Sequence, residues 1–382
     1  MKKIQTPKPT GEYAVGTFTY TVYDALDEEM YCAPGTKRSI PAKVYYPVSK
    51  ESVAGMEKAQ YMSETLAGVI KKNYIFTPTY KKMEKEGLNR CECYEKAPFI
   101  DGVKFPLILF SHGYGSFREA HTLLLSDIAS HGYVVVSIGH PYEAMLTEMD
   151  DGRVFKMAKG LTSKVYHPVF ASIRALKKLM KAKGSNEELW EQFDAMQKKY
   201  NAFLIERIPH WKEDIKEALR FLKENYADKL IDWEKGIGVT GHSMGGAVAF
   251  SLCEDEPETF VCGINIDGGL FGNHDRKTIR VPFLQINCEP NKNTVTKAFL
   301  GNENIAYHVV FKDMQHLGFS DLKYSIPMKS MVGGLDANVA HENVCRIHLE
   351  FFDTFLKKIN DQPKFSDNDA VTFTQYESKR SI

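Results

Sequence analysis

The sequence changes from a strand pattern to a helix pattern within the stretch Ile237-Gly238-Val239-Thr240-Gly241-His242-Ser243-Met244-Gly245-Gly246-Ala247. The strand-like residues end at Thr240, and small residues typical of a helix start follow from Gly245. A serine flanked by glycines in this context is typical of a nucleophile elbow, a tight turn that exposes the serine hydroxyl above a sheet. The N–H groups of the following helix can stabilise an oxyanion as it forms. The stretch therefore predicts that Ser243 is a nucleophile.

A serine nucleophile needs a histidine that takes its proton and a carboxylate that orients the histidine. The strand-like runs after the elbow are Val261–Ile266, Val281–Cys288 and Tyr307–Phe311. Asp267 follows the first run, Glu289 follows the second, and His316 lies in the loop after the third. The chain order serine, acid, histidine is the order of the α/β-hydrolase fold. We expect His316 to be the base and Asp267 the acid, with Glu289 as the alternative acid.

Each of these assignments has a simpler alternative in the sequence. Aspartate before two glycines is also a turn signal, so Asp267 could be a turn residue. His308, His341 and His348 also follow the elbow, and we expect packing or surface positions for them.

A second glycine-containing loop follows the apolar run Phe105–Phe110 and reads Ser111-His112-Gly113-Tyr114-Gly115. In the α/β-hydrolase fold the loop after the third strand supplies one oxyanion donor, and the residue after the nucleophile supplies the other. The two glycines would let the backbone approach a bound ester closely. We expect the N–H groups of Tyr114 and Met244 to be the donors, although two glycines also occur in ordinary strand-to-helix turns.

Three segments of the chain resemble the platelet-activating factor acetylhydrolases: Phe110–Arg118, Leu125–Tyr133 and Gly241–Ala247. Weaker similarity extends over most of residues 10 to 355. The family consists of calcium-independent serine esterases with the α/β-hydrolase fold, and its acid follows the strand after the nucleophile strand. The resemblance therefore implies Asp267 as the acid, and Tyr114 and Met244 as the oxyanion donors.

The resemblance implies a small-molecule or lipid ester as substrate, either a short-acyl ester or a phospholipid with a short or oxidised acyl chain. Similar microbial sequences are general esterases, and one fold serves many substrates, so the lipid stays open. Three further functions use the same residues or scaffold. They are an acyltransferase, a peptidase or amidase, and a non-catalytic binding protein.

The composition is typical of a globular enzyme, with 43% hydrophobic and 26% charged residues among 382. The formal net charge is zero, which gives no reason to expect a nucleic-acid partner. The N-terminus lacks the apolar stretch of a secretory signal, and no membrane-spanning run is evident, so we expect a cytoplasmic protein. Seven widely spread cysteines favour a reducing compartment over a disulfide framework. We expect neither a metal nor an organic cofactor.

Strand-like runs alternate with helical patterns from about residue 105, which predicts a mostly parallel sheet flanked by helices. We therefore expect one catalytic domain over residues 1–382, of the α/β class. Residues 50–100 are predicted to be a helical or irregular excursion. Residues 151–210 carry aromatic residues at helical spacing and predict a helical cap insertion. The polar residues 360–382 are expected to form a loosely held tail.

Overall fold

The computed structural model describes residues 6–28, 30–31, 35–72, 90–161, 174–175, 178–179, 183–184, 186–226, 229–270, 279–292 and 302–377. The strands are β1 (Ala14–Asp27), β2 (Lys37–Val48), β3 (Lys58–Gln60), β4 (Arg90–Glu95), β5 (Leu107–Ser111), β6 (Val134–Ile138), β7 (Leu146–Glu148), β8 (Val154–Lys156), β9 (Ile237–His242), β10 (Phe260–Ile266), β11 (Phe283–Cys288), β12 (Ala306–Phe311) and β13 (Val371–Tyr376). The α-helices are α1 (Glu64–Lys72), α2 (Thr122–Ser130), α3 (Asn186–Tyr200), α4 (Ala202–Tyr226), α5 (Met244–Asp255), α6 (Lys329–Val332) and α7 (Ala337–Phe352).

The main sheet has 11 strands in the order β13-β12-β11-β10-β9-β5-β6-β2-β1-β4-β3. Neighbouring strands from β6 to β12 are parallel, whereas β2 pairs antiparallel with both β6 and β1. The predicted mostly parallel sheet is confirmed. Because the carboxyl ends of parallel strands meet at one edge, the loops after β5, β9, β10, β11 and β12 lie together.

Apolar side chains alternate across the central strands and fill a core on each face of the sheet. Leu107 and Leu109 of β5 belong to one core cluster, and Ile108 and Phe110 belong to the other. All four are fully buried. Helices α4 and α5 contribute to the first cluster, and α2 and α7 contribute to the second. This sandwich fixes the sheet edge that carries the candidate site.

The described part of the C-terminal tail includes a strand, which corrects the expectation of a loosely held segment. Val371–Tyr376 form β13, which pairs antiparallel with β12 along its whole length. Val371 is buried and Phe373 is half-buried, whereas Thr372 and Thr374 are exposed. This is a strand alternation that the polar composition of the tail obscured. The tail therefore covers an edge of the sheet.

Residues 50–100 also contribute to the sheet, in addition to the expected helix α1. Strand β4 pairs in parallel with β1, and β3 pairs antiparallel with β4. Residues 73–89 lie outside the described residues. The segment 50–100, which the sequence predicts to be helical or irregular, thus also adds the strands β3 and β4 to the sheet.

The segment 151–210 contains β8, helix α3 and the first turns of α4, and much of residues 162–185 lies outside the described residues. Helix α4 runs unbroken across position 210, with Pro209 inside it. Its later part packs on the sheet through Trp211, Ile215 and Leu222. A boundary at residue 210 therefore falls inside one helix. Among the described residues, no helix combines the length and apolar character that a membrane crossing requires.

Candidate active site

Ser243 lies between the end of β9 and the start of α5, in a strained backbone conformation. Its φ is 57° and its ψ is −119°, a backbone conformation that residues other than glycine rarely adopt. Its N–H donates to the backbone oxygen of Ile266 at 2.8 Å, so the end of β10 holds the turn. The side chain is half-buried and can be reached from solvent. This is the geometry that a nucleophile elbow requires.

The glycines of the elbow are required by close backbone approaches. A Cβ atom at Gly241 would lie 2.3 Å from the backbone carbon of Gly245. A Cβ atom at Gly245 would lie 2.0 Å from the backbone oxygen of Ser111. Both distances are too short for non-bonded atoms, so a side chain at either position would displace the turn. Gly241 is therefore required by the tightness of the turn itself, and Gly245 is required by its packing against the end of β5.

Asp267 follows β10 at φ 53° and is buried. Its carboxylate accepts a hydrogen bond from His316 Nδ1 at 2.7 Å. It also accepts from the amides of Asn287 and Asn291 and from the N–H and thiol of Cys288, at 2.9 to 3.2 Å. Burial would raise the pKa of Asp267, but the contact with His316 and the other donors hold it below the usual value. The carboxylate is thus kept ionised beside the imidazole.

His316 lies in the loop after β12, with a side chain that is 40% exposed. Because a carboxylate only accepts, the bond to Asp267 places the proton of the neutral ring on Nδ1. Nε2 is then left as the basic nitrogen. Among the described residues, the hydrogen bonds do not include one between the Ser243 hydroxyl and this ring. Such catalytic contacts are often long in free enzymes and shorten when substrate binds.

His242 connects the elbow to the loop of His316. Its Nε2 donates to the backbone oxygen of His316 at 3.0 Å, and the two rings lie 4.6 Å apart. Burial, with the neighbouring His316 and His121, lowers the pKa of His242 well below its usual value, so the ring is neutral. The residue before Ser243 therefore holds the histidine loop beside the nucleophile.

The loop His112–Gly115 passes directly over the elbow. A Cβ atom at Gly113 would lie 3.0 Å from the Cβ of Ser243, so the backbone of this loop touches the nucleophile. His112 donates from Nδ1 to the backbone oxygen of Gly113 at 2.8 Å, and burial lowers its pKa to about 3. Gly115 has a φ of 71°. The loop is thus a close, glycine-dependent contact with the site.

Tyr114, one expected oxyanion donor, follows Gly113 in the loop that touches Ser243, and Met244, the other, follows Ser243 in the chain. Within the described part of the chain, no hydrogen bond is recorded from the backbone N–H of Tyr114 or Met244. Met244 is the first residue of α5, where helix N–H groups have no partner within the helix. Both N–H groups are therefore available to a ligand. Their role as oxyanion donors stays a prediction.

The alternative residues lie elsewhere in the structure. Glu289 begins a short turn after β11 and forms a 3.8 Å ion pair with Lys292, with a side chain that is 56% exposed. His308 lies inside β12 and bonds the side chain of Asn287 at 3.0 Å. His348 bonds a backbone oxygen of its own helix. Of the two candidate acids, it is Asp267 that the structure places in contact with His316.

The sequence did not reveal the donors to Asp267 from the end of β11 and the turn after it. Asn287, Cys288 and Asn291 follow one another closely there, and the asparagines at a strand end were the available signal. Their amide and thiol hydrogens saturate the carboxylate and restrict its orientation. They are part of the site without touching Ser243.

One group of potential metal ligands occurs among the described residues, away from the elbow. Side-chain ligand atoms of Asp127, His341 and Cys345, on α2 and α7, lie within 4.8 Å of one another. Asp127 already accepts hydrogen bonds from the backbone and hydroxyl of Thr10 at 2.5 and 2.9 Å. None of these side chains belongs to the loops around Ser243.

The chain is similar to known esterases over most of its length. The family model of platelet-activating factor acetylhydrolase, isoform II, matches residues 1–372. A platelet-activating factor acetylhydrolase of Cavia porcellus is 24% identical over 366 residues, covering 92% of this chain and 78% of the relative. The enzyme of that name from Canis lupus familiaris is 28% identical over 284 residues, covering 68% of this chain and 59% of the relative, which is under two thirds.

A solved structure shows the same fold. A ferulic acid esterase from Streptomyces cinnamoneus superposes with a TM-score of 0.74 at 21% identity, covering 98% of this chain and 100% of that one. The predicted α/β-hydrolase fold and the resemblance seen in the sequence are confirmed. The chain belongs to the platelet-activating factor acetylhydrolase family and is a carboxylic ester hydrolase.

Proposed function

We propose that the protein hydrolyses short-acyl esters through an acyl-enzyme formed on Ser243. The observation that carries the proposal is the 2.7 Å hydrogen bond from His316 Nδ1 to Asp267, beside an elbow that the loop of Gly113 touches. The names of the relatives describe acetyl hydrolases, which favours a short acyl group. Within this substrate class, the lipid candidate is a phospholipid with a short or oxidised acyl chain.

In the proposed mechanism His316 Nε2 takes the hydroxyl proton while Ser243 Oγ attacks the ester carbonyl. Asp267 fixes the ring and stabilises its positive form, because its carboxylate stays ionised. The N–H groups of Tyr114 and Met244 receive the oxyanion, each donor contributing about 3 kcal/mol. His316 then protonates the leaving alcohol, and water repeats the sequence on the acyl-enzyme.

We propose that part of the segment 151–210 acts as a cap over the acyl site. Phe203, in the first turn of α4, contacts the ring of Tyr114 edge-on at 6.0 Å. An aromatic side chain from this segment therefore lies beside a residue of the oxyanion loop. Phe203→Ala is expected to shift the preference toward longer acyl chains, whereas Phe221→Ala, a half-buried residue of the same helix that stacks on Tyr20, is the matched control. An unchanged preference in both variants rejects the cap.

The proposal extends to the compartment. The described cysteines are free thiols and buried, which supports a reducing environment and a cytoplasmic location. Cell fractionation with an antibody to the protein tests this.

The function is tested with a panel of p-nitrophenyl esters from acetate to hexadecanoate, together with a 2-acetyl phospholipid and its 2-hexadecanoyl counterpart. We expect the acetyl compounds to be hydrolysed with the highest kcat/KM. A preference for long chains contradicts the proposed substrate class. Matched amides and added alcohols test the alternatives, since rapid amide cleavage indicates an amidase and transfer to the alcohol in preference to water indicates an acyltransferase.

A further inference from the structure

A cluster of charged side chains is buried behind the oxyanion loop. Its charged members are each at most 4% exposed: Glu28, Arg38, Glu143, Arg207 and Asp214. Burying charges costs several kcal/mol for each ion unless they are well paired, and hydrophobic residues could fill the same space. The proposed mechanism gives these residues no chemical step. The contact of Glu143 with the oxyanion loop points to another role.

Glu143, in the turn after β6, is the member with the most partners. Its carboxylate accepts from Arg207 Nε at 2.8 Å and Nη2 at 3.2 Å. It also accepts from the indole of Trp211 at 2.7 Å and from the hydroxyl of Tyr31 at 3.0 Å. Arg207 and Trp211 lie four residues apart and so on one face of α4. The carboxylate is thereby fixed to that helix from several directions.

Glu143 and Trp211 also contact the oxyanion loop. The backbone oxygen of Glu143 accepts from the N–H of Gly115 at 2.9 Å, the residue next to the proposed donor Tyr114. The indole of Trp211 lies nearly parallel to the ring of Tyr114, at 11° with centroids 6.3 Å apart. Glu143 and Trp211, which are hydrogen-bonded to each other, thus contact both the backbone of the loop and the side chain of Tyr114.

A second hydrogen-bonded serine–histidine–aspartate series, formed by Ser111, His140 and Asp214, lies at the start of the oxyanion loop. Ser111 Oγ donates to His140 Nε2 at 2.6 Å, and His140 Nδ1 donates to Asp214 at 2.7 Å. Burial and the nearby Arg38 lower the pKa of His140 well below its usual value, so its ring is neutral. All three side chains are at most 1% exposed, which closes them to substrate. Trp211 stacks on His140 at 3.7 Å, which joins this series to Glu143.

We propose that Glu143 is a positioning residue that sets the N–H of Tyr114 in the oxyanion hole, through Gly115 and Trp211. The inference rests on the proposed function, because it assigns a role within that hydrolytic site. A misplacement of about 1 Å in a reacting geometry can cost about 10²-fold in rate. The buried charge of Glu143 is therefore explained as the support of a donor that must not move.

The test compares Glu143→Gln with Glu28→Gln. Both changes replace a buried carboxylate of the same cluster with an amide, but Glu28 bonds Arg38 and the N–H of Met30. We expect Glu143→Gln to lower kcat for p-nitrophenyl acetate about 10²-fold, with KM within about twofold. Glu28→Gln is expected to keep kcat within about threefold. Hydrogen exchange of the peptide spanning residues 111–117 is measured on both, and we expect faster exchange in Glu143→Gln alone.

A milder pair of variants covers the case in which Glu143→Gln does not fold. Trp211→Phe keeps an aromatic ring beside Tyr114 and removes the indole hydrogen bond to Glu143. We expect a drop in kcat of about tenfold, from the loss of one hydrogen bond to a charged group. Trp233→Phe makes the same change outside the cluster and is expected to leave kcat and loop exchange unchanged.

The exchange measurement separates this inference from the proposed function. If the wild type hydrolyses no ester, but Glu143→Gln or Trp211→Phe shows faster loop exchange, the positioning role is supported and the proposed function is contradicted. An active wild type whose loop exchange and kcat are unaffected by these changes overturns the inference. Equal losses in Glu28→Gln and Glu143→Gln also overturn it, because they indicate a general effect on stability.

Discussion

His242 donates a hydrogen bond from Nε2 to the backbone oxygen of His316 at 3.0 Å, with the two rings 4.6 Å apart. The residue that precedes the nucleophile in the chain thus holds the loop of the proposed base. Since the loop arrives from a different strand, this contact sets the relative position of Ser243 and His316. The middle residue of the Gly-His-Ser segment accordingly has a structural reason to be a hydrogen-bond donor.

Replacing His242 with phenylalanine removes this donor while keeping a ring of similar size. The backbone oxygen of His316 then loses its partner, and we expect kcat to fall about tenfold with KM little changed. His242→Gln can still donate to the oxygen and is expected to stay within about threefold of wild type. Steady-state kinetics on p-nitrophenyl acetate checks this, and equal losses in both variants would show that the hydrogen bond is not responsible.

Amide variants of Asp267 and Glu289 test which of the two carboxylates orients His316. Asp267→Asn removes the acceptor that places the proton on His316 Nδ1, so we expect kcat to fall about 10⁴-fold. Glu289 forms a 3.8 Å ion pair with Lys292 and has no hydrogen bond or ion pair with His316 among the described residues, so Glu289→Gln is expected to retain wild-type turnover. The measurement is kcat for both variants at one pH. A large loss in Glu289→Gln together with an active Asp267→Asn reverses the assignment of the acid.

His308 is expected to make stability depend on pH. Burial lowers the pKa of His308 to about 4, so the folded protein keeps the ring neutral while the unfolded chain binds a proton near pH 6.5. The unfolded state therefore binds more protons between these values, and the free energy of unfolding falls as pH drops from about 6.5 toward about 4. The loss is roughly 1.4 kcal/mol for each unit of pKa difference.

His308→Gln removes this contribution and keeps a side chain that can donate to Asn287. Urea unfolding at pH 7 and pH 4.5 is expected to show a smaller difference between the two pH values in the variant than in wild type. Other buried histidines titrate in both proteins, so the comparison isolates position 308. An identical pH dependence in the two proteins contradicts the prediction.

The main sheet and the family could be predicted from the sequence because their signals are local. An apolar strand leading into Gly241–Gly245 specifies a turn that few other sequences can form, and the runs before Asp267 and His316 are continuous apolar strands. Parallel strands then bring their carboxyl ends to one edge without further information. The proximity of Asp267 and His316 follows from that topology.

The remaining features depend on contacts between distant segments. Glu143 and Arg207 carry no local pattern, since a charged residue in a turn or on a helix is usually exposed, and their burial appears when α4 packs behind the oxyanion loop. The polar outward residues of Val371–Tyr376 hide the strand alternation, and the pairing of this strand depends on the open edge of β12. Such features arise from tertiary packing.

The nucleophile itself provides the most direct test of the account. Wild-type protein and Ser243→Ala are treated with a fluorophosphonate, and the modified peptide is identified by mass spectrometry. The account predicts a single adduct on Ser243 in the wild type and none in the variant, whose kcat falls about 10⁶-fold. An adduct on a different residue, or equal labelling and turnover in Ser243→Ala, would contradict it.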